Sequence, residues 1–375
     1  MSLPPTLAPV LQVLPSLVAG GVERGTLEIA EAIIAAGGRA LVASAGGPLV
    51  GPLERLGATH ITLPLRTKSP WGILRNAGAL ARLAAAEGVG IIHARSRAPA
   101  WSAMLAARRT GAHFVTTYHG TYNEGVPGKR LYNSVMARGE RVIAISHFIA
   151  GHLRARHGTD PARIRIIPRG VDARRFDPAL VPPARLAALR AGWRLPEGRP
   201  VVMLPGRLTR WKGQGVLLEA MARLPGDAVA VLVGDGPRYR RVLEAEAARL
   251  GLGERLRFAG HVEDMPAALM LADLVLHCSV EPEAFGRTVI EAQAMARPVI
   301  AADLGGPRET VVQGETGWRV APGDPAALAG AIAQALDLPP AARAAIGEAA
   351  RAHVLAHYTT AAMQQATLAV YRELA

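Results

Sequence analysis

The chain has 375 residues, more than one compact core usually holds, and half of them are hydrophobic, enough to fill two. Its net charge of +13 is uneven: residues 1–172 hold 20 Lys+Arg against 9 Asp+Glu, a net of +11, which leaves +2 for the remainder. One cysteine, Cys278, excludes a disulfide framework and a cysteine-based zinc site.

The apolar start, MSLPPTLAPVLQVLPSLVAGG, has no cationic lead and carries three prolines before Val13. It reads as a short leader before a strand at 10–14 rather than a signal peptide. No stretch reaches the roughly 18 apolar residues of a membrane span without a glycine or a charge. Strand and helix signals then alternate, which predicts an α/β chain with parallel sheets. The helical GGVERGTLEIAEAIIAAG is followed by strands at 39–44, 59–65, 90–96, 113–119, 141–146 and 163–168, mostly with helices between them. PRGVDARRFDPALVPPARL, rich in Pro, Arg and Asp, breaks the pattern and reads as a linker. Further strands are expected at 200–206, 227–234, 255–260, 271–279, 297–303 and 318–322, with helix from about Ala341. Cys278 falls in the run LVLHCS, as a buried strand thiol would.

Chemistry concentrates at 278–301, CSVEPEAFGRTVIEAQAMARPVIA. A strand ends at Ser279 and a helix is expected to open near Gly286. The amides of Arg287, Thr288 and Val289 would then lie at the positive end of the helix dipole, a place that attracts a diphosphate. Glu283 and Glu291 stand eight residues apart; a fully helical span would separate them by about 12 Å, enough to grip the two ends of a nucleotide sugar. Taken alone, the pair is better explained by a surface helix with solvated glutamates. In GRLTRWKGQ, Arg207 leaves a strand tip and Lys212 precedes a helix, so two cations could neutralise a leaving diphosphate. A basic loop with no role is the alternative. LVGDGPRY, with Gly234, is a glycine-rich turn that could approach a base or be a plain strand-to-helix turn; GHVEDMP also leaves a strand tip and would flank that base, and LGGPRETV is expected to close the site before a helix. Near the start, Gly20 and Gly21 in AGGVER could let backbone approach a phosphate or sugar, or simply form a tight turn. His119 ends a strand, where it could serve a sugar hydroxyl or a proton or simply be structural.

Taken together these segments resemble the retaining glycosyltransferases of family 4. The resemblance is carried by Glu283–Glu291 followed by AMARPVIA, by GRL…KG upstream, and by VVQGETGWRVAPGDPAALA; GGVER, the strand before His119 and AIS…PRGVD extend it through the first half. It implies a GT-B fold, two Rossmann-like domains with parallel sheets facing across a cleft. The expected boundaries are 1–170 for an acceptor domain, with a helix at about 358–375 packed back on it, and 171–357 for a nucleotide-sugar donor domain. It implies that Glu291 holds the ribose. Arg207 and Lys212, with the amides of Thr288 and Val289, would take the diphosphate. Glu283 and the backbone of Phe285 and Gly286 would hold sugar hydroxyls, Gly20 and Gly21 would face the phosphate side, and His119 the anomeric carbon. Glu283 as a covalent nucleophile is the weaker version of its role. No metal or other cofactor is implied, and no Asp-x-Asp motif occurs. The donor is a nucleotide-diphosphate sugar and the acceptor a glycan or lipid-linked glycan, of the lipopolysaccharide core type. Two positions depart from the family pattern: Arg169 stands before Gly170 where Asn is common, and Arg287 follows Gly286 where an apolar residue is common.

RSRAPAWSAMLAARRTG and KRLYNSVMARGER mix cations with Trp101, Leu105, Leu131, Tyr132 and Met136. Either these line an anionic membrane surface, making the protein cytoplasmic and peripheral on the inner membrane face, or the apolar ones are core. Rival activities are a sugar-nucleotide 2-epimerase of the same fold and a non-catalytic sugar-nucleotide-binding protein. No helix-turn-helix, zinc or RNP-like pattern supports nucleic acid, and no G-x-G-x-x-G follows the first strand.

Overall fold

The structure, a computed structural model, describes residues 7–18 and 20–375. Most of the expected leader, and Ala19 of the AGGVER loop, lie outside the described residues. The chain divides into two units: Met1–Pro168 with Ala361–Ala375, and Arg169–Thr360.

In the first unit seven strands form one parallel sheet: β1 (Val10–Val13), β2 (Ala40–Ser44), β3 (Thr59–Thr62), β4 (Ile91–Ala94), β5 (His113–Tyr118), β6 (Arg141–Ala144) and β7 (Ile164–Ile166). Their order is β3-β2-β1-β4-β5-β6-β7, so the direction of winding reverses between β1 and β4. Val10 pairs with Ala40 on one side and Ile91 on the other. Strands covered on both faces must be apolar throughout, and β1, β2 and β4 are buried at every position. The polar exception in β1, Gln12, donates its amide to the Thr26 carbonyl at 3.0 Å.

The helix Thr360–Arg372 completes this core with Met363, Leu368, Val370 and Tyr371. The Tyr371 hydroxyl meets His93 Nδ1 at 2.6 Å, and His93 Nε2 meets Thr117 Oγ1 at 2.7 Å. Burial pushes His93 well below its usual range, so this network is built on a neutral imidazole.

The second unit holds β8 (Val201–Pro205), β9 (Val229–Val233), β10 (Leu256–Gly260), β11 (Leu274–His277), β12 (Val299–Ala302) and β13 (Gly317–Val320). The order β10-β9-β8-β11-β12-β13 repeats the same winding, with its reversal between β8 and β11. Val202 pairs with Ala230 and with Leu274 across that point. Helix starts follow the usual chemistry: Asp324 accepts from the amides of Ala326 and Ala327 ahead of a helix beginning with Pro325.

Three local expectations need correction. The strand at 271–279 is shorter, because Leu271 caps the helix Met265–Met270 and only Leu274–His277 joins the ladder. LGGPRETV leads into a single 3₁₀ turn, Pro307–Glu309, not a helix. The basic apolar segments of the first unit do not share a lipid-facing stripe. Met136 and Val135 are core, and Trp101 donates its indole N–H to the Tyr132 carbonyl beneath Arg138, whereas Leu131 is 64% exposed. Among the described residues no helix is long and apolar enough to cross a membrane.

Candidate functional site

In open α/β sheets, ligands bind beyond the carboxyl ends of the strands where the winding reverses. In the second unit that place is a cleft of about 510 Å³. Pro205 at the end of β8 with Gly206 and Arg207 after it, Gly234–Pro237 after β9, and His261 and Val262 after β10 line it, together with Thr288 and Glu291 of the helix Arg287–Ala294. Gly234 has φ 141°, and a Cβ there would run into the Gly206 carbonyl. Only glycine allows these two turns to nest and present backbone to the cleft.

Next to the cleft, Lys212 and Glu283 meet at 2.5 Å. The pairing is built by the backbone. The turn Arg210–Lys212 is held against the tail of β11 by the Val280 amide, which donates to the Trp211 carbonyl at 2.8 Å. A Cβ at Gly213 would collide with the Cys278 carbonyl. A Cβ added at Gly206 would touch the stem of Lys212, which places the ion pair beside the cleft. On the other side, the loop carrying Glu283 is clasped by Gly305 and Gly306; the Gly306 amide donates to the Glu283 carbonyl at 2.8 Å.

Glu283 Oε1 receives three groups: Lys212 Nζ, His277 Nε2 at 2.8 Å, and the Ser279 hydroxyl. Burial alone would raise this carboxyl, but His277 and Lys212 outweigh it and hold Glu283 far below the usual carboxylate range. It is therefore an ionised acceptor of low basicity. Cys278, between His277 and Ser279, is buried, and burial pushes its thiol up to about 12.

Arg207, Gly234, Thr288 and Glu291 line the cleft together, and Lys212 and Glu283 adjoin it. Gly286 caps the helix at φ 81°. The span from Glu283 to Glu291 is not fully helical, since the helix begins only at Arg287; the two carboxylates face different neighbours, Glu291 lying 3.5 Å from Arg287 within its own helix. The Val289 amide is not open to a ligand, because it donates to the Gly286 carbonyl at 3.0 Å. The Phe285 side chain is core, its ring 5.9 Å from that of Tyr358. Gly20, Gly21 and His119 belong to the first unit, at the start of the helix Gly21–Ala35 and just after β5. The sequence reading missed His277 and Ser279 as site residues, since both sit in a run whose apolarity signals only a buried strand. Asp235, Pro237 and Met265, which also line the cleft, fell inside segments already flagged as strand-end loops.

Two doubly wound units, one with a glycine-walled cleft at its winding reversal, define the GT-B class of fold, and solved structures bear this out. A glycosyltransferase from Rickettsia africae superposes with a TM-score of 0.91 at 38% identity, covering 98% of each chain. HepE of Anabaena, solved with UDP-glucose, does so at 0.85 and 26% identity, over 97% of this chain and 99% of that one. Residues 19–175 match the model of Glycosyltransferase Family 4, and residues 187–353 that of Glycosyl transferases group 1. The chain belongs to this glycosyltransferase family. Among curated relatives, the D-inositol 3-phosphate glycosyltransferase of Geodermatophilus obscurus is 34% identical over 257 residues, 62% of this chain and 55% of that protein. The chain thus spans about half the length of the curated relatives it matches.

Proposed function

We propose that this chain is a retaining glycosyltransferase that moves a hexose-type sugar from a nucleotide-diphosphate sugar to a glycan or lipid-linked acceptor. The observation that carries the reading is the cleft at the β8–β11 reversal, where glycine turns, an arginine, a helix start and a glutamate converge. Glu291 is suited to the ribose hydroxyls and the Thr288 end of its helix to the diphosphate. Arg207 and Lys212 supply positive charge as the diphosphate leaves, which is why no metal is part of the reading. Glu283, ionised and fixed by three donors, is suited to accept from sugar hydroxyls. Its low basicity disfavours it as a proton acceptor and as a nucleophile, and favours a front-face route in which the leaving phosphate takes the acceptor's proton. His119 is assigned to the sugar side, and Gly20 and Gly21 to the phosphate side. That HepE was solved with UDP-glucose supports a nucleotide-sugar donor.

The test is a thermal-shift titration with UDP-, GDP- and ADP-sugars in the presence of a chelator. At a hundredfold excess over Kd, one nucleotide class should stabilise the wild type by about 2.7 kcal/mol, and Glu291→Ala should abolish the shift. No shift with any donor would sink the reading, and a shift that appears only with added Mg²⁺ would sink its metal-free part.

A further inference from the structure

The first unit has a second concave site that the donor reading does not use. The segment 119–138, which leaves the carboxyl end of β5, folds back onto the helix His147–His157. The Tyr122 ring lies tilted at 43° against that of Tyr118, with centroids 4.7 Å apart, and Arg97 lies over Tyr122 at 4.0 Å. The result is a pocket of about 500 Å³ whose polar lining is Arg130, Arg138, Arg156, His157 and Ser134, with no carboxylate among the lining residues.

Its cations are set in place. Arg156 Nε is 2.5 Å from Glu124, which is not a lining residue, and Arg130 donates to the Arg156 carbonyl at 2.9 Å. Arg138 rests 5.1 Å from the Trp101 ring. His157 Nε2 is 3.0 Å from the hydroxyl of Tyr118, a fully buried residue. Ser134 spends its proton on the Leu131 carbonyl at 2.7 Å, so the guanidiniums are the pocket's donors.

Charge decides the ligand class. Three guanidiniums less the Glu124 carboxylate leave a net of +2 before His157 is counted. A neutral sugar gains little from that excess, whereas a phosphomonoester carries about −1.5 to −2 at neutral pH and suits forked guanidinium donors. The volume exceeds what one phosphoryl group needs and leaves space for the group that bears it.

We propose that this pocket binds a phosphomonoester, the phosphoryl group of a phosphorylated acceptor. Only the word acceptor rests on the transferase reading; the binding site stands on its own geometry. The experiment is calorimetric titration of the full chain with glucose 6-phosphate, with glucose as the uncharged control, and sedimentation with vesicles containing phosphatidic acid to separate a soluble ester from a lipid one. Arg138→Glu and Arg130→Gln, both at exposed positions that folding tolerates, are compared with Arg154→Gln, an exposed cation on the helix of Arg156 but outside the pocket. Each pocket variant should bind the phosphorylated probe about tenfold more weakly or worse, the loss of one charge-assisted hydrogen bond. Arg154→Gln should bind it as wild type does, and nucleotide-sugar binding should be unaffected in all three. The proposal is overturned if neither probe binds, if glucose binds as well as its phosphate, if the pocket variants match wild type, or if Arg154→Gln loses as much as they do. Nucleotide-sugar binding that fails while probe binding persists would remove the transferase reading and leave the pocket intact.

Discussion

Replacing Lys212 with methionine keeps most of the apolar stem and removes the ammonium from Glu283. Both side chains are largely buried, at 15% and 13% exposure, so solvent screens the pair little. Removing one partner of a buried pair costs about 3–5 kcal/mol, and because His277 and Ser279 remain on Glu283 Oε1 the lower end, about 3 kcal/mol, is expected. For the second unit, with its roughly 190 residues, that is a fall in melting temperature of about 6–12 °C. The sign with pH is fixed by the depressed carboxyl. Its stabilisation is fully present above the ordinary glutamate value near 4.5 and is lost as pH falls through the depressed folded value. Lys212→Met weakens that depression, so the gap between wild type and variant should be full at pH 7 and should close only as pH falls below the carboxyl's value in the variant, toward the lower wild-type value. Thermal melts by circular dichroism at pH 7 and along an acid series measure it. Coincident melts at pH 7, or a gap that acid leaves unchanged, would refute the argument that Lys212 holds Glu283 ionised.

Gly234→Ala forces a Cβ toward the Gly206 carbonyl at a backbone angle alanine avoids, and should cost about 1–3 kcal/mol together with nucleotide binding; melts and donor titration read both. Tyr371→Phe leaves His93 Nδ1 buried without its partner and should destabilise the first unit by about 1–3 kcal/mol in urea unfolding, with little effect on donor binding to the other unit. Cys278 should resist thiol reagents in the native protein and react at the rate at which the second unit opens; fast labelling in buffer would contradict its burial.

The strands were legible because a parallel strand covered on both faces has to be apolar along its whole length, and runs such as VVMLP and VAVLV end at the glycines of the binding turns. The start of the helix after Gly286 was legible for the same reason: a glycine between a polar loop and an apolar period marks a boundary. What the sequence hid were relations across long separations. Lys212 and Glu283 are 71 residues apart, and nothing local in either says that the Trp211 carbonyl will pin one turn beside the other. His277 and Ser279 look like strand filler until β11 delivers them to Glu283. Met136 looked like a companion of Leu131 because the two lie close in a basic segment, yet a 3₁₀ turn at Ser134–Ala137 sends Met136 inward.

The helix Thr360–Arg372 has a consequence for biogenesis. Its Met363, Leu368 and Tyr371 belong to the core around β1, β2 and β4, which the ribosome finishes more than two hundred residues earlier. Synthesis normally lets an N-terminal domain fold before the next one is made. Here the second unit can close while the first still exposes the apolar groove this helix will fill, and His93 still lacks a partner for its Nδ1. The first half of the chain is thus the last to be completed, and a ribosome stalled within the second unit would present a fully translated but unfinished sheet to chaperones and proteases.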